Sequence, residues 1–247
     1  YAGALAQKRL KKRIFLMLMK ALGAYKNLLW HATTDEEADQ IMQHIGAKQT
    51  SIRIASILPA PITRLPKHAP KQSGELKIIF LSRITPKKNL DGALKLLATV
   101  NHPVQFDIYG TQEDSTYWEL CESLMRDLPS RIQARYCGAI TEGQVELFSQ
   151  YHLFLFPTHG ENFGYVIQEA LLGGCLPLIS TQTPWRGLAE KQIGWDVSLE
   201  ADYLRAIEQA VMMDEPTFAE WANNAQQYGL GVVNDPVRIG QNRDLFR

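Results

Sequence analysis

The sequence is poor in cysteine and has no long apolar run. Its three cysteines are an odd number without Cys-x-x-Cys spacing, so neither a disulfide framework nor a zinc site is predicted. Cys121, Cys137 and Cys175 are all expected to be buried thiols. The longest apolar run near the start, residues 14–19, is far shorter than the roughly 20 residues of a membrane-spanning helix. These absences favour a globular protein of the cytoplasm.

Familiar nucleotide and metal motifs are absent as well. The chain has no Gly-x-Gly-x-x-Gly and no Walker A sequence, which argues against the common dinucleotide and nucleoside-triphosphate sites. It also has no Asp-x-Asp and no histidine cluster with ligand spacing. No metal and no other cofactor is therefore expected.

Charge is unevenly placed, although the net charge is zero. Residues 1–70 carry 11 basic and 4 acidic side chains, whereas residues 71–247 carry 15 and 22. A predicted helix over residues 3–26 has seven basic residues and no acid, as expected of a helix that lies on an anionic membrane surface. A solvated helix face explains the same pattern. Peripheral contact with the inner face of a membrane is thus one of two interpretations, and no nucleic-acid partner is predicted.

What is present is a regular alternation of strands and helices after residue 75. Strands are predicted at 76–82, 104–110, 131–137, 152–157 and 175–180, and helices at 89–100, 115–128, 141–150 and 163–173. Alternation with short connections is typical of right-handed βαβ units. It predicts an α/β fold with a Rossmann-like, doubly wound parallel sheet, whose ligands bind where the carboxyl ends of strands lead into helices.

A second, partial α/β domain is predicted before that sheet. In this domain strands are expected at 27–33 and 52–58, with a helix from Thr34 to Gly46 between them. Two further helices, at 200–213 and 216–228, follow the last strand of the sheet domain. Four prolines in residues 59–74 prevent regular structure and mark an interdomain linker. Residues 1–58 then form the partial domain and residues 75–235 the sheet domain. Asp235 and Pro236 start a terminal helix over 236–247.

The loop after the first strand of the sheet, SRITPKKN, carries two cations. Arg83 and Lys88 stand five positions apart with Pro86 between them, and the following helix is expected to be capped by Asn89. An arginine fork and a lysine point charge together can neutralise a diphosphate. From this loop alone, two ordinary surface cations are an equal alternative.

The stretch PTHGENFGYVIQEAL, residues 157–171, places Glu161 and Glu169 eight positions apart. A helix is expected to begin at Asn162, with free backbone N–H groups near Phe163 and Gly164 that can bind phosphate or sugar oxygens. Two carboxylates beside an anion site are better placed to accept hydrogen bonds from hydroxyl groups than to contact phosphate. Eight helical positions span about 12 Å. That length suits a nucleotide-sugar, with its ribose, diphosphate and sugar in line.

Together the two motifs resemble the donor-binding domain of GT-B fold glycosyltransferases, most closely glycosyltransferase family 4, over roughly residues 60–247. The Arg-x4-Lys loop and the Glu-x7-Glu motif of that family match Arg83, Lys88, Glu161 and Glu169. Residues 1–58 resemble the last helix and strands of the family's acceptor domain, most of which is absent from this sequence. In that family the terminal helix crosses back to the acceptor domain.

The resemblance implies transfer of a sugar from a nucleoside-diphosphate donor to a hydroxyl group of a glycan, polysaccharide or lipid-linked saccharide, with retention and without a metal. Arg83, Lys88 and Glu161 are the implied catalytic residues: the cations hold the diphosphate and Glu161 contacts the donor sugar. Glu169 is implied to bind the ribose. The other implied contacts come from Asn162, Phe163 and Gly164 for sugar and phosphate, and from the loop at Ala139 and Ile140 for the base.

Two alternatives stay open. A non-catalytic nucleotide-sugar-binding module that needs a separate acceptor domain or partner has the same motifs, and the short N-terminal segment favours it. A sugar-nucleotide epimerase of related fold is less well supported, because the residues it needs from both domains are not found. His159 is more often a positioning or exposed group than a general base.

Overall fold

The computed structural model describes residues 9–55, 64–198 and 200–245. Within them the chain forms two compact units. The large unit takes in the described residues from 64 to Val232, and the small unit takes in those up to 55 together with those from Val233 onward. No described helix is long and apolar enough to cross a lipid bilayer.

The N-terminal part of the small unit consists of two helices and two short strands. These are α1 (Arg9–Ala21), β1 (Trp30–Ala32), α2 (Asp35–Ile45) and β2 (Ile52–Ile54). The two strands pair in parallel. The first helix ends earlier than predicted because the chain turns at Gly23, whose φ of +67° is left-handed. The predicted helical residues 3–8 and strand residues 56–58 lie outside the described residues.

The predicted start and end of α2 are confirmed. Thr34 accepts a hydrogen bond from the backbone N–H of Glu37, and the Glu37 carboxylate in turn accepts from the N–H and hydroxyl of Thr33. At the other end Gly46 takes a left-handed conformation and its N–H bonds the carbonyl of Met42. Local sequence therefore sets both boundaries of this helix.

A six-stranded parallel sheet forms the centre of the large unit. Its strands are β3 (Leu76–Leu81), β4 (Val104–Tyr109), β5 (Ile132–Tyr136), β6 (Leu153–Phe156), β7 (Leu176–Ser180) and β8 (Trp195–Val197). They lie in the order β5–β4–β3–β6–β7–β8, and every neighbouring pair is parallel. The order reverses between β3 and β6, which is where ligands of such sheets bind. The predicted doubly wound α/β fold is confirmed.

Helices follow the strands of this sheet. They are α3 (Leu90–Ala98), α4 (Ser115–Arg126), α5 (Gln144–Phe148), α6 (Tyr165–Leu172), α7 (Glu200–Met212) and α8 (Glu215–Val233); α9 (Pro236–Asp244) is grouped with the small unit. The central strands are apolar at nearly every position and are buried, as in parallel sheets covered on both faces. Asp235 caps α9 as predicted, since its carboxylate accepts from the N–H of Val237.

Strand β8, the end of helix α8 and the burial of Cys137 differ from prediction. The edge strand β8 was not predicted, because a three-residue strand is too short to show an apolar pattern. Helix α8 runs past its predicted end at 228, since Gly229 packs against Leu172 instead of ending the helix. Cys137 is half-buried, whereas Cys121 and Cys175 are buried as expected.

The second half of the proline-rich segment is fixed to the large unit by two buried side chains. The Lys71 ammonium donates to the carbonyls of Val211 and Met213 at 3.1 and 3.2 Å, at the end of α7. His152 accepts from the N–H of Lys77 at Nδ1, so its Nε2–H donates to the carbonyl of Pro70. Burial lowers the pKa of His152 to about 4. The neutral imidazole therefore joins the segment to the start of β3 throughout the physiological pH range.

Candidate functional site

The loops that follow β3 and β4 are held in register by backbone hydrogen bonds. The N–H groups of Ser82 and Ile84 donate to the carbonyls of Tyr109 and Thr111 at 3.1 and 2.8 Å. Gly110 lies against Ser82 so closely that a Cβ there would stand 1.7 Å from the Ser82 carbonyl oxygen. The ladder between β3 and β4 thus continues beyond the strands, and it fixes the backbone on both sides of Arg83.

Arg83 lies at the open end of this ladder. Its Nη1 donates to Glu113 Oε2 at 3.2 Å, and the two side chains are 63% and 43% exposed. Glu113 belongs to the loop after β4, just before Asp114, whose carboxylate caps α4. The cation predicted for a diphosphate therefore has a carboxylate partner that the sequence did not suggest.

Lys88 lies deeper, at the end of a 3-10 turn formed by Pro86–Lys88. Its ammonium is paired with Glu161 and lies 5.4 Å from the centre of the Phe156 ring. The two paired side chains are only 9% and 15% exposed. The structure thus brings together one predicted cation and one predicted acid, which are 73 positions apart in the chain.

Asn89 does not cap α3 as predicted. It stands at the N-cap position with a left-handed backbone (φ +60°) and no capping hydrogen bond from its side chain. Its Nδ2 instead donates to the carbonyl of Pro157 at 2.9 Å. The amide therefore connects the β3 loop to the β6 loop, a long-range role that local sequence does not reveal.

The β6 loop, residues 157–164, is fastened on two sides. The N–H of His159 donates to the carbonyl of Lys87 at 2.9 Å, and the N–H of Glu161 donates to the carbonyl of Gln182 at 3.0 Å. The Thr158 hydroxyl lies 3.2 Å from the Lys87 carbonyl and 3.4 Å from Glu161 Oε1. The backbone of His159 is thus structural, while its ring is exposed. These contacts hold Glu161 against the neighbouring loops.

Helix α6 begins at Tyr165, three residues later than predicted. Gly164 precedes it in a left-handed conformation (φ +79°), and a Cβ there would stand 2.8 Å from Ile167 Cδ1. Gly164 provides no side-chain cap, and the N–H of Ile167 donates to the Gly164 carbonyl at 2.8 Å. The positive end of the helix dipole therefore faces the β6 loop. Because Glu161 precedes the helix, the helical estimate of about 12 Å between the two glutamates does not apply.

The residues between Glu161 and the helix are held from one side by an aromatic group. Trp185 Nε1–H donates to the carbonyl of Phe163 at 2.6 Å, and the two rings lie 5.3 Å apart. Phe163 is buried and Asn162 is half-buried. The predicted sugar and phosphate contacts therefore lie on a backbone segment that Trp185 holds in front of α6.

Glu169 lies in the middle of α6, half-buried. Within the described residues its carboxylate has no hydrogen-bond or ion-pair partner, and burial raises its pKa to about 7. A buried carboxylate without donors is costly, and two hydroxyl donors would relieve that cost. This arrangement fits the predicted contact with a ribose.

The loop predicted to contact the base follows β5. Ala139 is exposed, whereas Ile140 packs against the core of the large unit. Gly138 before them accepts a hydrogen bond from the N–H of Gly110, so this loop is tied to the β4 loop. Among the residues that the structure describes, no group of three His, Cys, Asp or Glu side chains could hold a metal ion.

Comparison with known proteins supports a family assignment. The family described as "Glycosyl transferases group 1" matches residues 62–227. The GtfA subunit of the UDP-N-acetylglucosamine–peptide N-acetylglucosaminyltransferase of Streptococcus pneumoniae is 26% identical over 183 residues, which cover 70% of this chain and 34% of that protein. The chain therefore spans about a third of the length of this curated relative.

Solved structures share the fold. TarM of S. aureus, in a complex that includes UDP, has a TM-score of 0.69 at 18% identity and covers 88% of this chain and 43% of its own. HepE of Anabaena, in complex with UDP-glucose, has a TM-score of 0.68 at 16% identity, and the match covers 94% of this chain and 67% of the HepE chain. The predicted GT-B type is confirmed, while the narrower family 4 assignment stays a prediction. Because the family match covers more than half of the sequence, this chain belongs to the glycosyl transferases group 1 family.

Proposed function

We propose that the chain binds a nucleoside-diphosphate sugar and is the donor-binding part of a glycosyltransferase. Family membership supports this activity, and the relatives above are described with UDP or a UDP-sugar. The observation that carries the proposal is the meeting of Lys88 and Glu161 in front of the uncapped helix α6. A diphosphate binds cations and backbone N–H groups, and a sugar binds hydrogen-bond acceptors. Both kinds of group lie here together.

The cations are proposed to bind the diphosphate. Lys88 supplies a charge held in place by the surrounding loops, and Arg83 supplies a guanidinium that reaches from the exposed side. The N-terminal end of α6 adds its dipole. All three interact more strongly as negative charge builds up on the departing diphosphate, so they stabilise the transition state of sugar transfer.

The two glutamates are proposed to bind hydroxyl groups. Glu161 accepts from the donor sugar beside Lys88, and Glu169 accepts from the ribose. The backbone at Gly164 has no Cβ and lets the ligand approach closely. The loop at Ala139 and Ile140 contacts the base, for which uracil is our choice on the basis of the named relatives.

The finer features of the activity are part of the same proposal. They are a hexosyl donor, retention at the anomeric carbon, no requirement for a metal, and an acceptor hydroxyl on a glycan, polysaccharide or lipid-linked saccharide. Cytoplasmic location, with peripheral contact to an anionic membrane, also stays a prediction. The exposed apolar side chains of Phe15 and Leu18 on α1 support that contact.

A thermal-shift panel of nucleotide-sugars tests the donor site. UDP-glucose and UDP-N-acetylglucosamine are expected to raise the Tm, because a ligand at 100 times its Kd adds about 2.7 kcal/mol to the free energy of unfolding. Uridine is the matched control and is expected to give a much smaller shift. If no nucleoside-diphosphate sugar shifts the Tm, the site assignment is wrong. If donors bind and no offered acceptor leads to release of UDP, the alternative of a non-catalytic module is favoured.

A further inference from the structure

Both cations of the proposed site have a carboxylate partner, but the two pairs differ. Lys88 and Glu161 are almost fully buried, whereas Arg83 and Glu113 are both exposed to water. Breaking a buried pair leaves an uncompensated charge away from water, which is strongly unfavourable. Breaking an exposed pair costs little, because water solvates both charges. An incoming anion therefore exchanges with Glu113 far more easily than with Glu161.

The position of Glu113 is set by the fold. The continued parallel ladder pairs Ile84 with Gln112, so Arg83 precedes this bridge by one residue and Glu113 follows it by one. The long Arg83 side chain spans that offset and reaches the Glu113 carboxylate. On the other side Asp114 is fixed by its hydrogen bond to the N–H of Tyr117 at the start of α4. Glu113 thus lies between two fixed points and is held within reach of Arg83.

We propose that Glu113 is a counter-ion that competes with the donor diphosphate for Arg83 and thereby limits the affinity of the site. This inference rests on the proposed donor-binding function. In the empty site Arg83 is neutralised by Glu113; on binding, phosphate oxygens replace the carboxylate at the guanidinium. The released carboxylate stays nearby and repels the phosphates. The same repulsion acts on the nucleoside diphosphate after transfer and speeds its release.

Substitution of Glu113 by glutamine tests this competition. Glu113→Gln keeps the size of the side chain and removes its charge, so UDP is expected to bind about two- to fivefold more tightly at low salt. Isothermal titration calorimetry at low and at high ionic strength measures the change. The gain is expected to shrink at high salt, because exposed charges are screened within about 10 Å at 0.1 M. Glu119→Gln, which removes an exposed acid of α4, is the matched control and leaves the Kd of UDP unchanged.

A double-mutant cycle with Arg83→Ala shows whether the effect passes through Arg83. In the Arg83→Ala background, Glu113→Gln is expected to give less than half of its gain. A full gain in that background, or weaker UDP binding by the single variant, overturns the proposal; the second result makes Glu113 an orienting group for Arg83. If the wild type binds UDP and Glu113→Gln has the same Kd, this inference alone is overturned. Absence of UDP binding by the wild type overturns the proposed function and this inference with it.

Discussion

The Lys88–Glu161 and Arg83–Glu113 pairs each join a basic side chain to a glutamate at the carboxyl end of the sheet, and they differ in what surrounds them. The first pair is enclosed by the β6 loop and the Phe156 ring, whereas the second lies in water at the end of a backbone ladder. Breaking a buried charge pair lowers the free energy of unfolding as well as altering the ligand site. An exposed pair affects ligand binding and hardly affects stability. The comparison therefore separates stability from donor affinity within one site.

The largest effect is expected from breaking the buried pair. Lys88→Met keeps an apolar stem against Phe156 and leaves the Glu161 carboxylate without its cation, so the free energy of unfolding is expected to fall by about 3 kcal/mol. Urea denaturation followed by tryptophan fluorescence measures this change. Arg83→Ala breaks the exposed pair and is expected to lower the free energy of unfolding by less than about 1 kcal/mol.

Removing the second charge provides the control for that prediction. In Lys88→Met/Glu161→Gln no uncompensated carboxylate is left, so most of the lost stability is expected to return. If the double variant is as unstable as Lys88→Met, the loss comes from packing of the lysine stem. If both single cation variants lose equal stability, the difference in burial between the two pairs has no energetic consequence.

The exposed pair is expected to matter for ligands. Arg83→Ala removes a charge-assisted hydrogen bond to phosphate, worth about 1.5 to 3 kcal/mol, so the Kd of UDP is expected to rise about 10- to 100-fold. The Kd of uridine, which has no phosphate, is expected to change less than about twofold. Titration of both ligands into both proteins measures the difference. Equal losses for UDP and uridine would show that Arg83 does not contact the diphosphate.

The fold of the large unit was predictable because its signals are local. The apolar strands and the amphipathic helices alternate at short intervals, and five of the six strand positions follow from that pattern. The edge strand β8 was missed since three residues carry no pattern. Helix α8 continues past residue 228 because Gly229 packs closely against Leu172, and a glycine in that role looks the same in sequence as one that ends a helix.

The candidate site was predictable only in part. The motif residues Arg83, Lys88 and Glu161 were found because they lie in loops directly after predicted strands and because the two motifs resemble those of a known family. Their partners depend on which loops the order of strands in the sheet brings together, and the spacing of residues within a motif does not reveal that strand order. Glu113 therefore escaped notice, although an acid in the loop of the neighbouring strand is a signal that could be searched for once the order is known.

The smallest predicted effect concerns Glu169, the third acid of the site, which has no cationic partner among the residues that the structure describes. Its pKa is raised by burial from 4.5 to about 7. Between these values the folded protein holds a proton that the unfolded chain releases, so the free energy of unfolding falls as pH rises from about 4.5 to 7. Glu169→Gln removes this loss. The Tm of the variant is expected to exceed that of the wild type by about 2 to 4 °C at pH 8, and to equal it near pH 4.

Donor affinity is expected to change in the opposite direction at the same pH. The ionised Glu169 is the better acceptor for ribose hydroxyls, so Glu169→Gln should bind UDP several-fold more weakly than the wild type at pH 8. At pH 5.5 the wild-type carboxyl is also neutral, so the difference in Kd between the two proteins should be smaller. Glu208→Gln, at an exposed position of α7, controls for the loss of one negative charge. A variant that gains stability at pH 8 and keeps full UDP affinity would remove Glu169 from the ligand contacts. A variant that loses both would show that its carboxylate has a partner in the fold. Higher stability together with weaker UDP binding is expected only if the Glu169 carboxylate has no hydrogen-bond donor in the fold and receives its donors from the ligand.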